Sequence, residues 1–323
     1  MVTDTPPALP DFRDRRTGLT VIGALTILLG GLVAMMVPLM VFGQAMAPAS
    51  GGSQSAILPA VAMYGGLAAA LIWLGIGSLF ARRWARALLL ILGWSGLVLG
   101  IVMVPATVLM LPDAMRAGQP AGSPPLPAGV LQGVLVFTVL VLGFFFIVIP
   151  GIWVLFYGSR HVKSTCEARN SHPSWTDTCP LPVLALSLWL AAAIPSMLLT
   201  PLFYRAVLPF FGVFLSGGAG VVSYLVLAAV WAVAAWWIYR LDSRGWWLTL
   251  FAIVVFAASN FLTYSRQDIS TLYELMGLPP AQIEQMGKMP ILSGAGMKWM
   301  TSAMLIPFLV YLLAIRRYFR SVR

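Results

Sequence analysis

The sequence predicts an all-α integral membrane protein of about eight transmembrane helices, built as a 4+4 parallel tandem repeat. Three observations carry that expectation. Of 323 residues, 60% are hydrophobic and only 9% are charged, whereas a soluble domain carries about 25% charged residues. A chain so poor in charge cannot cover a water-facing surface. Apolar runs of spanning length recur along it, and the basic residues gather at alternate ends of those runs.

A hydrocarbon core about 30 Å thick takes roughly 20 residues of apolar helix. Eight runs meet that length: 18–43, 57–80, 87–111, 129–157, 183–203, 218–239, 246–264 and 297–315. None alternates in polarity at every second residue, as the strands of a membrane barrel do. The first run follows Arg13, Arg15 and Arg16 and precedes Ala45-Met46-Ala47, a layout that resembles a signal peptide. Its apolar stretch of about 26 residues exceeds the roughly 7–15 of a signal h-region, so it reads as a retained span. The fourth run is long and is expected to tilt, or to kink near Pro150. After the fifth, residues 202–214 stay apolar around Arg205 and Pro209, which suggests an interfacial or re-entrant segment.

Lys and Arg set the orientation. With the N-terminus inside, the inner segments hold 15 of these residues and the outer ones 5: Arg116, Arg205, Arg266, Lys288 and Lys298. Every inner segment is enriched, which is the positive-inside pattern. Both termini are therefore expected on the cytoplasmic side. The net charge of +10 does not indicate nucleic acid, because the cations sit at span ends and not on one soluble face.

The second half echoes the first. Pro38 pairs with Pro195 at an offset of 157, and Arg82 and Arg86 pair with Arg240 and Arg244 at 158. Pro150, Arg160 and Lys163 pair with Pro307, Arg317 and Arg320 at 157, and both halves carry an outer Pro-Pro, at 124–125 and 279–280. Four spans per unit is even, so the halves share orientation. The expected organisation is a tail at 1–16, a first four-helix unit at 17–158, a linker loop at 159–182, and a second unit at 183–323 ending in a basic tail.

Small residues mark expected helix contacts: Gly96 with Gly100, the group Gly65, Gly66 and Ala70, and Gly217, Gly218 and Gly220. They let backbones approach where lipid supplies no hydrophobic drive. Oligomerisation through Gly96 and Gly100 is the alternative use. Trp236, Trp237, Trp246 and Trp247 read as an interfacial aromatic belt.

No Asp, Glu, Lys, Arg or His falls near the middle of a span, which argues against a proton relay or a charge-coupled pump. Lys298 can snorkel to the outer surface. Ser259, Asn260 and Gln132 are the polar candidates within spans, each expected to bond helix to helix. The chain carries no HExxH, GxSxG or phosphate-binding glycine loop. The outer segment 265–296 suggests a short helix near 268–287 with a solvated charged face.

The loop 159–182 holds both cysteines and both histidines of the chain. His161, Cys166, His172 and Cys179 together offer two thiolates and two imidazoles, a set that suits tetrahedral zinc, with Glu167 and Asp177 as supporting oxygens. The tight CxxC hook of usual structural sites is missing. The competing expectation is a folded connector in which Trp175 packs and Asp177 caps. A cytoplasmic loop keeps its thiols reduced, whereas an inverted orientation would favour a Cys166–Cys179 disulfide.

The run VKSTCEARNSHPSWTDTCPLPVLALSL, Val162 to Leu188, resembles a segment of uncharacterised bacterial multi-pass membrane proteins. That resemblance implies a bacterial inner membrane. The functional expectations, in order, are a non-catalytic scaffold, accessory subunit or sensor whose inner loop docks a protein partner; a permease for a neutral or lipid-like solute held between the repeats; and a metal-dependent membrane enzyme centred on the loop.

Overall fold

The computed structural model describes residues 13–46, 58–117, 127–203, 205–278, 280–287 and 292–320. The expected tail up to residue 12, Ala47, the prolines at 124, 125 and 279, Lys288 and Arg323 lie outside these residues. The elements run α1 (Arg16–Met46), α2 (Leu58–Leu79), α3 (Arg83–Ala117), α4 (Ala128–Gly143), a π turn (Phe144–Val148), α5 (Ile149–Tyr157), α6 (Arg160–Arg169), a 3-10 turn (Trp175–Asp177) and α7 (Leu181–Phe203). Then follow β1 (Leu208–Phe210), β2 (Val213–Leu215), α8 (Gly217–Tyr239), α9 (Ser243–Arg266), α10 (Ile269–Leu275), α11 (Pro280–Gly287), α12 (Gly294–Ile315) and α13 (Arg317–Arg320).

Among the described residues, eight helical stretches are long and apolar enough to cross a membrane. Their outer surfaces carry large bare side chains, such as Leu155 at 80% and Trp299 at 76% exposure. In water that much apolar surface would drive aggregation; in lipid it is solvated. The chain is a multi-pass, helical membrane protein. The π turn falls just before Pro150. Proline lacks the N–H of a regular helical bond and crowds the carbonyl four residues back, so a wider local winding is the expected accommodation.

Contacts divide the chain into two compact units, one of residues 1–99 with 144–178 and one of residues 100–143 with 179–323. In the first unit α1 and α2 meet through glycines. A Cβ on Gly23 would stand 3.0 Å from the Gly75 carbonyl oxygen, and one on Gly75 would stand 2.8 Å from that of Gly23. Gly96 packs against Pro150, where a Cβ would lie 2.7 Å from the ring Cγ. Gly65 and Gly66 face open space, and the close approaches in this unit include Gly23, Gly30, Gly75, Gly93 and Gly96. Buried Ser78 ties three helices together: its hydroxyl donates to the Leu19 carbonyl at 3.1 Å and lies 2.7 Å from the Tyr157 hydroxyl.

The second unit has an apolar core of Val183, Leu186, Leu190, Trp231, Ile238 and Leu312, joined by Trp246. Trp246 is 3% exposed and its indole donates to the Leu312 carbonyl at 2.8 Å; it is a core residue, not part of the belt. Trp236 and Trp247 are exposed, with the Arg240 guanidinium 4.6 Å above the first and that of Arg316 5.5 Å above the second. Residues 208–215, within the stretch expected to be interfacial or re-entrant, form an antiparallel β-hairpin. Helix α9 satisfies its backbone: Ser259 accepts from Phe211 N–H at 2.9 Å, Thr263 accepts from Gly212 N–H at 3.0 Å, and Gln267 donates to the Gly212 carbonyl at 2.9 Å. These bonds satisfy the backbone of the turn between the two strands, which lipid could not do. The expected helix near 268–287 is two short helices, α10 and α11, separated at Gly277, whose φ is +80°.

Candidate functional site

The junction after α5 is folded, and each part has a local cause. Ser159 adopts extended geometry (ψ 144°) and its hydroxyl accepts from Val162 N–H at 3.3 Å, so it caps α6 in the manner favoured for serine. Val162, Thr165 and Cys166 form the buried stripe of α6. Thr165 also accepts from Arg15 N–H at 3.1 Å, which fixes the start of α1 against this helix. Asp177 accepts from Ser174 N–H at 2.9 Å, and so closes the 3-10 turn as the sequence expects. Trp175 is 43% exposed and does not pack inward.

This segment is clasped to the turn between α2 and α3. That turn ends α2 with Ala81 in left-handed geometry, φ 51°, a helix stop that glycine usually supplies. The geometry aims the Ala81 carbonyl at Asn170, whose amide donates to it at 2.8 Å, while the Asn170 carbonyl accepts from Arg82 at 3.2 Å. Arg83 reaches Asp177 at 3.3 Å and Glu167 at 3.7 Å. Lys163 also approaches Glu167, at 3.8 Å, and Arg169 pairs with Asp14 at 3.3 Å. A cleft of about 320 Å³ opens between the turn and the junction, lined by Arg82, Arg83, Arg169, Ser171, His172 and Ser174 among others.

The four expected zinc ligands occupy different settings. His161 is exposed, and its Nδ1 accepts from Arg13 N–H at 3.3 Å. His172 is exposed at the cleft. Cys166 and Cys179 are buried free thiols. Burial pushes each thiol up to about 11, for Cys166 against the pull of Arg86. Among the described residues, no three His, Cys, Asp or Glu side chains gather to hold a metal ion.

The polar span residues divide. Ser259 serves the hairpin, also donating to the Pro209 carbonyl at 3.2 Å. Gln132 is exposed. Asn260 donates to the Phe256 carbonyl of its own helix at 2.9 Å and borders a cavity of about 340 Å³ in the second unit, with Ser196, Thr200, Tyr224 and Tyr264. Sequence reasoning missed the clasp itself. Its one legible signal was the density of charge within 82–86 and 163–177.

Fold and site define a multi-pass membrane protein with a structured, cation-rich junction. Set against models of known families, curated proteins and solved structures, the chain matches none.

Proposed function

We propose that the chain is a non-catalytic scaffold, accessory subunit or sensor whose junction 159–182 docks a soluble protein partner. One observation carries the reading: the junction is already folded. Capping by Ser159 and Asp177 and clasping by Asn170 and Arg83 remove most of the ordering entropy that a loose loop would lose on binding. Its exposed side presents Arg160, His161, Lys163, Arg169 and Trp175, which suits an acidic surface with an apolar notch for the indole. In this reading the chain is a bacterial inner-membrane protein, and both termini and the junction lie in the cytoplasm.

The 4+4 repeat belongs to the same proposal. Its support is a pair of matching turns. Ala81 and Leu241 both take left-handed geometry, and Arg82 N–H to the Gly77 carbonyl is mirrored by Asp242 N–H to the Trp237 carbonyl, an offset of 160 that adds two residues to the 158 of the arginine pairs. Photo-cross-linking from position 175 in native membranes tests the docking. A single adduct of defined mass supports it, and the absence of any adduct opposes it.

A second reading rests on the cavity beside Asn260. Four hydroxyl-bearing side chains and one amide among apolar walls of Met197, Leu208 and Phe256 suit a neutral or lipid-like solute, as a permease would hold. Saturable binding of such a solute, lost on Asn260→Leu, would favour this reading over the scaffold.

A further inference from the structure

We propose that the cleft between the α2–α3 turn and the junction binds a phosphate group, that of an anionic phospholipid headgroup. Three guanidinium groups, from Arg82, Arg83 and Arg169, line one small space with the hydroxyls of Ser171 and Ser174. Guanidinium forks match phosphate oxygens, and hydroxyls complete the donor set. The volume of about 320 Å³ sits at the small end of ligand clefts, which span about 300–1,000 Å³.

Local acids do not cancel the charge. Arg83 pairs with Asp177 and Glu167, Lys163 with Glu167 and Arg169 with Asp14, while among the described residues Arg82 bonds the neutral Asn170. The buried Nε atoms of Arg83 and Arg86 have no acceptor among the described residues. Of the three guanidiniums that line the cleft, that of Arg82 keeps its charge with a neutral partner, Asn170.

Depth selects the lipid as the source. Arg83 opens a helix long and apolar enough to cross a membrane, so the cleft lies where headgroups lie. Trp84 borders it and stacks on Trp73 at 4.2 Å, a pairing suited to the interface. Basic residues at this depth each add attraction for anionic lipid. The inference does not depend on a protein partner.

The test is native mass spectrometry of the full chain, counting retained lipid after release from nanodiscs. One set of discs holds neutral phosphatidylcholine alone, one adds phosphatidylglycerol, and one is neutral with inorganic phosphate in the buffer. The expected result is one tightly held phosphatidylglycerol, weakened roughly thirtyfold by Arg82→Gln/Arg169→Gln and little changed by Arg240→Gln/Arg244→Gln, which removes the same charge elsewhere. Arg82→Lys/Arg169→Lys, which keeps the charge but not the fork, should bind in between. Equal loss in both Gln pairs would reduce the effect to general surface charge and overturn the site. Retention of inorganic phosphate in neutral discs, with no preference for the lipid, would overturn the headgroup assignment.

Discussion

Arg83 and Asp177 stand 94 residues apart in the chain, and their side chains meet at 3.3 Å. The same carboxylate oxygen that accepts from Arg83 also accepts from Ser174 N–H. One atom thus closes the 3-10 turn and fastens it to the start of α3. The pair is partly open to water, with side chains 18% and 41% exposed, so its contribution is modest. Removing either residue is expected to raise proteolysis within 170–178 about fivefold, the effect of roughly 1 kcal/mol of local stability. Asp177→Asn should act like Arg83→Ala, because both open the same clasp. Timed proteolysis in detergent reads this, and equal cleavage rates in all three proteins would show that the clasp holds nothing.

Ser78 and Tyr157 make a different kind of contact. Both are buried, and their hydroxyls lie 2.7 Å apart. Tyr157→Phe removes one bond and leaves Ser78 its donation to Leu19. The expected loss is about 1 kcal/mol, read as a lower unfolding midpoint in detergent. Ser78→Ala removes both bonds and should lower it further. A smaller effect for Ser78→Ala than for Tyr157→Phe would contradict the three-way tie.

Gly220 and Gly65 should respond in opposite ways to alanine. A Cβ on Gly220 would run into the Ala206 carbonyl oxygen, so α8 or the chain leading into the hairpin must move. Forced overpacking of this kind costs about 1–3 kcal/mol. Gly65 faces open space and should accept alanine silently, or gain slightly from better helix propensity. Matched thermal unfolding of the two variants decides it, and equal midpoints would mean that the contact at Gly220 relaxes freely.

The thiols give a pH dependence. An exposed thiol titrates near 9.0, and burial moves Cys166 and Cys179 up to about 11. The fold therefore favours the neutral thiol. That stabilisation is fully present below pH 9 and is lost as pH rises through about 11, because the unfolded chain ionises first. Alkylation by iodoacetamide at pH 8 should be slow in the folded protein and rapid after unfolding. Fast double alkylation of the native protein would contradict the burial of both residues.

The sequence carried the multi-pass helical character because apolar length is a local property. It also carried Asp177 as a cap and Gly96 as a contact. The hairpin at 208–215 was not readable. Its strands are three residues each, too short for a period of two to emerge, and Pro209 argues against a strand. Its stability comes from Ser259, Thr263 and Gln267, about 50 residues downstream. The choice of Gly23 and Gly75 over Gly65 and Gly66 depends on which helix faces meet, and nearly uniform hydrophobicity hides that. Trp246 and Trp247 are neighbours with the same chemistry, yet only the facing backbone of Leu312 makes one of them core.

Docking of a soluble partner at the clasped junction is the proposal that the folded segment 159–182 motivates. Its most direct test places a photo-cross-linker at Trp175 in native membranes, with a second at lipid-facing Leu155 as control. Docking there predicts one discrete protein adduct from position 175, none from position 155, and loss of most of that adduct when Arg83→Ala or Asp177→Asn opens the clasp. Adducts of equal yield from both positions, or an adduct from position 175 that survives both substitutions unchanged, would contradict it.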